Sequence, residues 1–185
     1  MIDPRAVKNI SDAKQIIQER NIHHIKVGIF DVDGVMRGKY MSREKFISAL
    51  DKGFGFCDVV LGWDSNDQLY DNVTYTGWHT GYPDAPVRII PESCRAIPFE
   101  PETLLFIAEF THEAEAICPR ALLRRQVSKA ESMGFTVKAA AEYEFFLFDE
   151  TPDSIREKGY RNLKPFTPGF FGYSMLRNSV HSDLY

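Results

Sequence analysis

A chain of 185 residues has room for one substantial domain, or for a small domain and part of a second. With 44% hydrophobic and 26% charged residues, it has the composition of a folded globular protein, which excludes disorder as a description of the whole. A net charge of −4 gives no reason to expect nucleic acid as a partner, and no apolar run approaches the roughly 20 residues of a membrane helix. Because the N-terminus also lacks the apolar segment of a secretory signal, we expect a cytoplasmic protein.

The cysteines, Cys57, Cys94 and Cys118, are odd in number and far apart in the sequence. This spacing argues against a disulfide framework and against a CxxC zinc site. We expect them to be free thiols.

The first part of the chain predicts alternating helices and strands. Helical spacing of apolar residues predicts a helix over 11–20, and alternation predicts a strand over 24–31. Asp33-Gly34 is a hairpin signal, since glycine tolerates the positive φ of such turns, and 36–41 would be the returning strand. Ser42 then predicts the start of a second helix that ends at Lys52-Gly53.

The middle of the chain predicts a long loop followed by strands. Residues 54–86 are rich in Gly, Asp, Asn and aromatic residues, which predicts a long ordered loop with short strands. Short apolar runs predict strands over 87–90, 95–98 and 104–110. Together these elements predict a small α+β domain that ends near Glu113.

The last part of the chain predicts one long helix and one buried strand. The helix covers 118–134, and the strand covers 135–148. Because its core, 145–148, is continuously apolar, we expect both faces of this strand to be covered. Polar, proline-bearing sequence follows Asp149, and a further helix is predicted near Ser182.

The first constellation that could carry chemistry is Asp31-Val-Asp33-Gly34 at a strand end. An apolar strand ending in Asp-x-Asp-Gly resembles the opening motif of haloacid dehalogenase-type phosphatases, in which two carboxylates work beside Mg²⁺. The alternative is that both aspartates are hairpin residues. The later Gly-Asp acidic pair that such a phosphatase needs is not found in the sequence.

The second constellation is the pair Glu142 and Glu144. Carboxylates at i and i+2 of a strand point to the same side and repel each other unless cations neutralise them. Hard oxygen ligands favour Mg²⁺ or Mn²⁺. The alternative is the solvated face of an edge strand, although the apolar run behind the pair weakens that interpretation.

The third constellation is Trp63-Asp64 in the long loop. An aspartate beside an indole could bind a cation or an amine by charge and through the ring face. An aspartate in an Asn/Ser-rich loop is also a common turn former.

These pieces, in this order, resemble the glutamine synthetase family over essentially the whole chain. Asp33-Gly34 with Arg37-Gly38-Lys39 is similar to the family's N-terminal strand pair, and the helix beginning Cys118-Pro119-Arg120 is similar to the one that opens the catalytic domain. Glu142-x-Glu144 followed by Phe-Phe-Leu-Phe-Asp is the most specific of these motifs.

The resemblance implies an α+β chain with a β-grasp-like domain over 1–113 and the first, incomplete part of an α/β catalytic barrel over 114–185. It implies a ligase of nitrogen metabolism that uses ATP to join the γ-carboxylate of glutamate to ammonia or an amine, through a γ-glutamyl phosphate. By carry-over, Glu142 and Glu144 are ligands of Mg²⁺ or Mn²⁺. Asp64 matches a catalytic aspartate that helps to hold the ammonium or amine in a neighbouring subunit's site, within a homo-oligomer.

Two departures from the family pattern bear on the substrate. The loop has Trp63-Asp64-Ser65-Asn66-Asp67 where typical members have Phe-Asp-Gly-Ser-Ser, and Tyr143 stands where proline is common. Both changes resemble the branch that makes γ-glutamyl amines or polyamines, including glutamine synthetase-like ligases. We therefore hypothesise that Asp67 adds charge for a cationic amine.

Length is the largest departure, because the family's nucleotide-binding residues and other metal ligands lie beyond Tyr185. We therefore expect this chain to be inactive as given, with uncovered apolar surface at the start of the barrel. The alternative is a non-enzymatic assembly or regulatory module derived from this family.

Overall fold

The computed structural model describes residues 2–169 and 172–184. The chain divides into two compact units, Met1–Val137 and Lys138–Tyr185. The helices and strands of the first unit are α1 (Ile10–Glu19), β1 (His24–Phe30), β2 (Met36–Ser42), α2 (Arg43–Lys52), β3 (Phe54–Cys57), β4 (Asp84–Ile97), β5 (Glu100–Phe110) and α3 (Pro119–Ser132). Short 3₁₀ helices cover Pro4–Ala6, Asp58–Leu61 and His112–Ala116.

The first unit is built on one mixed sheet with the strand order β2-β1-β5-β4-β3. β1 runs parallel to β5, and the other neighbouring strands are antiparallel. The predicted α+β class is therefore confirmed, with the sheet forming a half-barrel.

The core lies where helices α1 and α2 cover the sheet. Ile25, Val27 and Ile29 of β1 are buried, as their alternation predicts, because every second side chain of a strand points to the same face. Phe46 of α2 is fully buried and packs against Phe106 of β5, with ring centroids 4.7 Å apart. Burial of apolar surface, aliphatic and aromatic, is the main favourable contribution to folding.

The prediction of two separate strands over 87–90 and 95–98 is wrong. The structure has one strand from Asp84 to Ile97, and its pairing with β5 shifts between Ile90 and Arg95. Pro91 lies inside this shift, where its missing N–H removes no ladder hydrogen bond. The proline therefore marks an irregularity within a strand and does not end it.

The strand predicted over 135–148 is not formed. Residues 135–147 have no regular secondary structure, and Phe145 and Phe146 are exposed. A strand needs a neighbour to pair its N–H and C=O groups, and the only bridge described in this stretch joins Phe148 to Pro165. The apolar surface expected to remain uncovered is present here.

The second unit contains two short helices, α4 (Pro152–Glu157) and α5 (Met175–Ser179). Thr151 and Ser154 form a capping box at the start of α4. The helix predicted near Ser182 is wrong: residues 181–184 form turns, and α5 precedes them. In the described part of the chain, no helix is long and apolar enough to cross a bilayer.

Candidate functional site

Asp31 lies at the end of β1 and is fully buried. Its Oδ1 accepts hydrogen bonds from the backbone N–H groups of Asp33 (3.0 Å) and Val35 (2.8 Å). Its Oδ2 accepts from Nε of Arg37 at 2.8 Å. A buried carboxylate is stable when it is paired and hydrogen-bonded in this way, so Asp31 holds the β1–β2 turn together.

This geometry contradicts the phosphatase interpretation of Asp31 and Asp33. A nucleophilic or metal-binding carboxylate needs an accessible oxygen, whereas both oxygens of Asp31 are satisfied by the protein and the side chain has no exposed surface. Asp33 instead accepts a hydrogen bond from the backbone N–H of Ser65 at 2.7 Å. The hairpin alternative is therefore correct, and Asp33 also binds the long loop to the turn.

Arg37 on β2 connects this turn to residues 62–70, which we call the Asp64 loop. Its Nη1 pairs with Asp67 at 2.6 Å, and its Nη2 donates to the backbone carbonyl of Asp64 at 3.4 Å. Its guanidinium carbon lies 4.8 Å from the ring centroid of Trp63, within the range of a cation–π contact. The hydrogen bond to Asp31, with a further contribution from Asp67, raises the pKa of Arg37 against the opposing effect of burial.

Asp64 itself shapes the tip of this loop. Its Oδ1 accepts from the backbone N–H groups of Asn66 (2.8 Å) and Gln68 (2.9 Å), and its own N–H donates to the carbonyl of Gln68. This is the turn-forming role that the residue types allow. Asp64 is half-buried, and its Oδ2 has no hydrogen-bond partner among the described residues.

Several carboxylates lie in and beside the Asp64 loop, and two of them, Asp31 and Asp67, pair with Arg37. Burial, followed by the nearby carboxylates of Asp33, Asp64 and Asp31, raises the pKa of Tyr70. Asp67 is already paired with Arg37, which accounts for this extra acid without a substrate amine. The hypothesis that Asp67 serves a cationic substrate is therefore not supported by the geometry.

Glu142 and Glu144 lie in the second unit, on the exposed irregular stretch. Without a strand, their spacing does not constrain their carboxylates to one side. Among residues 2–169 and 172–184, no group of three or more His, Cys, Asp or Glu side chains is arranged so that it could hold a metal ion. The two glutamates have the right donor chemistry for Mg²⁺ or Mn²⁺, but the described residues do not complete a ligand set around them.

The structure contains a charged cluster around Glu109 that the sequence analysis did not predict. Glu109, near the end of β5, is buried and pairs with three arginines: Arg88 on β4, and Arg120 and Arg124 on α3. Arg124 also pairs with Glu115. A lone glutamate inside an apolar strand, followed by an arginine-rich helix, is the signal that could have predicted it. The cluster ties α3 to the sheet.

A surface cleft of about 480 Å³ lies beside β3, with Phe54, Asp84, Arg88 and His112 in its lining. It contains none of the predicted site residues. The predicted residues instead fall in two places, the Asp64 loop of the first unit and the exposed stretch of the second.

Comparison with known proteins identifies relatives of this chain. Residues 116–179 match the family model of the glutamine synthetase catalytic domain. Type-1 glutamine synthetase 2 of Dictyostelium discoideum is 41% identical over 162 residues, covering 86% of this chain and 31% of that protein. Glutamate–isopropylamine ligase of Pseudomonas sp is 35% identical over 184 residues, covering 96% of this chain and 39% of that protein.

The fold has a counterpart among solved structures. The structure of GmaS in complex with ADP aligns with a TM-score of 0.50 at 16% identity, covering 79% of this chain and 35% of that one. At this identity the likeness concerns the fold alone. The chain spans 31% and 39% of the lengths of the two curated relatives above. Its sequence identifies it as a relative of the glutamine synthetase family, whose matching members include both a glutamine synthetase and a glutamate–isopropylamine ligase.

Proposed function

We propose that this chain is the N-terminal part of an ATP-dependent ligase that joins the γ-carboxylate of glutamate to ammonia or an amine through a γ-glutamyl phosphate. The observation that carries the proposal is the 35% identity to a glutamate–isopropylamine ligase over 96% of this chain. Enzymes of this family use ATP and divalent metals. The activity is proposed for the whole protein, with residues 1–113 as its β-grasp-like domain and 114–185 as the start of its catalytic domain.

Asp64 is the residue that we propose to meet the ammonium or amine. One of its oxygens is held by two backbone N–H groups, which fixes the carboxylate, and the other has no hydrogen-bond partner among the described residues. A fixed carboxylate attracts a cation by charge, while the ring of Trp63 already carries the Arg37 guanidinium. By resemblance, this loop serves the site of a neighbouring subunit, so the proposal includes a homo-oligomer.

Glu142 and Glu144 are the proposed ligands of Mg²⁺ or Mn²⁺. A bound divalent cation would neutralise charge on the phosphoryl group and on the substrate carboxylate. Two carboxylates are fewer donors than such a cation takes, so the remaining ligands must come from outside the described residues. We therefore derive no catalytic step from these two residues alone.

The proposed substrate is an organic amine, in preference to ammonia. Trp63 and Tyr143, the two departures from the common family pattern, support this choice. The 35% identity to a glutamate–isopropylamine ligase supports the same choice.

The test is amide formation by the native protein. The protein is incubated with glutamate, ATP, Mg²⁺ or Mn²⁺ and one nitrogen source at a time: ammonia, methylamine, isopropylamine, ethanolamine or putrescine. Mass spectrometry then detects the γ-glutamyl amide, and phosphate release is measured in parallel. Product with an alkylamine supports the proposal, turnover of ammonia alone contradicts the amine preference, and no amide from any source contradicts the ligase.

The metal assignment has a separate test that does not depend on turnover. Mn²⁺ binding to the native protein is followed by the loss of its free-ion electron paramagnetic resonance signal. Glu142→Gln and Glu144→Gln should each weaken Mn²⁺ binding by roughly 10- to 100-fold. This is the loss measured when a residue that only orients a metal ligand is removed, and losing the ligand itself should cost at least as much. Glu131→Gln, an exposed glutamate of α3, is the matched control and should leave binding unchanged. A native protein that binds no Mn²⁺ and forms no amide would instead favour the non-enzymatic module.

A further inference from the structure

We propose that Arg37 is the positioning residue of the Asp64 loop. The Asp64 loop belongs to a segment of more than twenty residues that leaves the sheet after β3 and returns at β4, so its conformation depends on a few tethers. Arg37 connects the loop to buried Asp31 at the end of β1, and Asp33 adds one hydrogen bond from the N–H of Ser65. The proposal rests on the proposed function only for the meaning of Asp64; the tether itself is a separate property of the first unit.

The first argument is that each of the three guanidinium nitrogen atoms of Arg37 contacts a different acceptor. Nε binds buried Asp31, Nη1 binds Asp67, and Nη2 binds the backbone carbonyl of Asp64. The planar fork of a guanidinium can serve three acceptors in different directions, whereas a lysine ammonium is a single point charge. The tether is therefore specific to arginine.

The second argument is that the anchor at the base is rigid. Asp31 has no exposed surface and is itself held by two backbone N–H groups of the β1–β2 turn. Arg37 is placed opposite Ile29 by the antiparallel register of β1 and β2. The guanidinium is consequently fixed from the sheet side before it reaches the loop.

The third argument is the packing at the loop side. The guanidinium lies over Trp63, whose indole N–H is buried and has no hydrogen-bond partner among the described residues. With no such partner to orient the ring, its orientation depends on packing and on the cation above it. Trp63 directly precedes Asp64, so a change in the ring position is transmitted to the carboxylate.

The experiment uses Trp63 as a reporter. Trp78, the second tryptophan, is 82% exposed, and Trp78→Phe leaves Trp63 as the single indole. In this background Arg37→Met removes the fork, Arg37→Lys retains the charge, and Arg43→Met is the matched control. Arg43 also binds a backbone carbonyl, that of Ile22, through its Nε, but it does not contact the loop.

Two readouts are taken on this chain, fluorescence quenching of Trp63 by acrylamide and hydrogen exchange at Asn66 and Gln68. In Arg37→Met we expect stronger quenching and roughly tenfold or faster exchange at these N–H groups, because charge-assisted hydrogen bonds that close the loop are lost. Exchange within β1 and β5 reports the global loss of stability that follows when buried Asp31 loses its partner, and it is the baseline against which exchange in the loop is compared. Arg43→Met should leave both loop signals unchanged.

The outcomes separate the tether from the ligase. Wild-type loop signals in Arg37→Met, or full recovery in Arg37→Lys, would overturn the tether. In the native protein, loss of the tether should raise KM for the amine about tenfold with little change in KM for glutamate, since small misplacements of a binding group have large effects. A loosened loop in a protein that forms no amide would leave the tether standing and contradict only the proposed function.

Discussion

The substitution Asp31→Asn tests the structural account of the site most directly. The amide keeps the shape of the side chain and an oxygen for the two backbone N–H groups, but it loses the charge and presents an NH₂ or a neutral oxygen to Arg37. Removing one partner of a buried ion pair destabilises a protein by about 3–5 kcal/mol. The side chain of Arg37 is 18% exposed and keeps Asp67, so we expect the lower end, about 3 kcal/mol, or roughly 100-fold in the folding equilibrium.

The assay is urea unfolding followed by circular dichroism at neutral pH. A domain of this size is stable by about 5–15 kcal/mol, so the variant should still fold, with a lower midpoint and an unchanged dependence of the free energy on urea. Asp33→Asn is the matched control: its side chain is exposed and accepts one backbone N–H, so we expect about 1 kcal/mol or less. The account of Asp31 is refuted if its variant loses no more stability than the Asp33 variant. A phosphatase nucleophile predicts the opposite pattern, with activity lost and stability kept.

Three further predictions concern the core and the charged clusters. Phe46→Ala should lower the free energy of unfolding by about 3–5 kcal/mol in the same urea assay, because Phe46 is fully buried against Phe106; a loss below about 1 kcal/mol would contradict this packing. Glu109→Gln should lower it by about 1–2 kcal/mol, reduced because the three arginines are partly exposed, and a neutral result would show that the cluster does not hold α3. Hydrogen bonds lower the pKa of Glu150 to about 2, with the largest contribution from Lys158 and smaller ones from the hydroxyl of Ser154 and the backbone N–H of Lys164. The stabilisation from Glu150 should therefore be present above about pH 4.5 and lost as the pH falls towards 2, and a carboxyl chemical-shift titration that gives an ordinary pKa would contradict these contacts.

The parts of the fold that were predicted from sequence depend on local signals. Helix α2 begins after Ser42, which caps it, and ends at Gly53, which has a φ of 70°. Both residues act on their immediate neighbours, so a single sequence is enough to identify them. The alternation in β1 was likewise sufficient, because the sheet buries one face of that strand.

The parts that were not predicted depend on distant partners. Arg37 and Trp63 are 26 positions apart, and no local pattern indicates that a guanidinium lies over that indole. The stretch 135–148 has the composition of a buried strand, but composition supplies only the preference, and a ladder of hydrogen bonds needs a neighbouring strand. The same dependence explains why Glu109 was missed, since its three arginines come from two other elements.

The two groups of predicted site residues therefore differ in what the chain does for them. Asp64 belongs to a unit with its own core, and the tether from Asp31 through Arg37 fixes its loop. Glu142 and Glu144 lie on an exposed irregular stretch of the second unit, whereas a strand would direct both carboxylates to one side. Binding of one cation by both glutamates would require this stretch to become ordered. The free energy of ordering the backbone would then weaken the binding. For this reason the conformation of the Asp64 loop can be tested on this chain, whereas the proposed metal ligands, Glu142 and Glu144, have to be tested in the native protein.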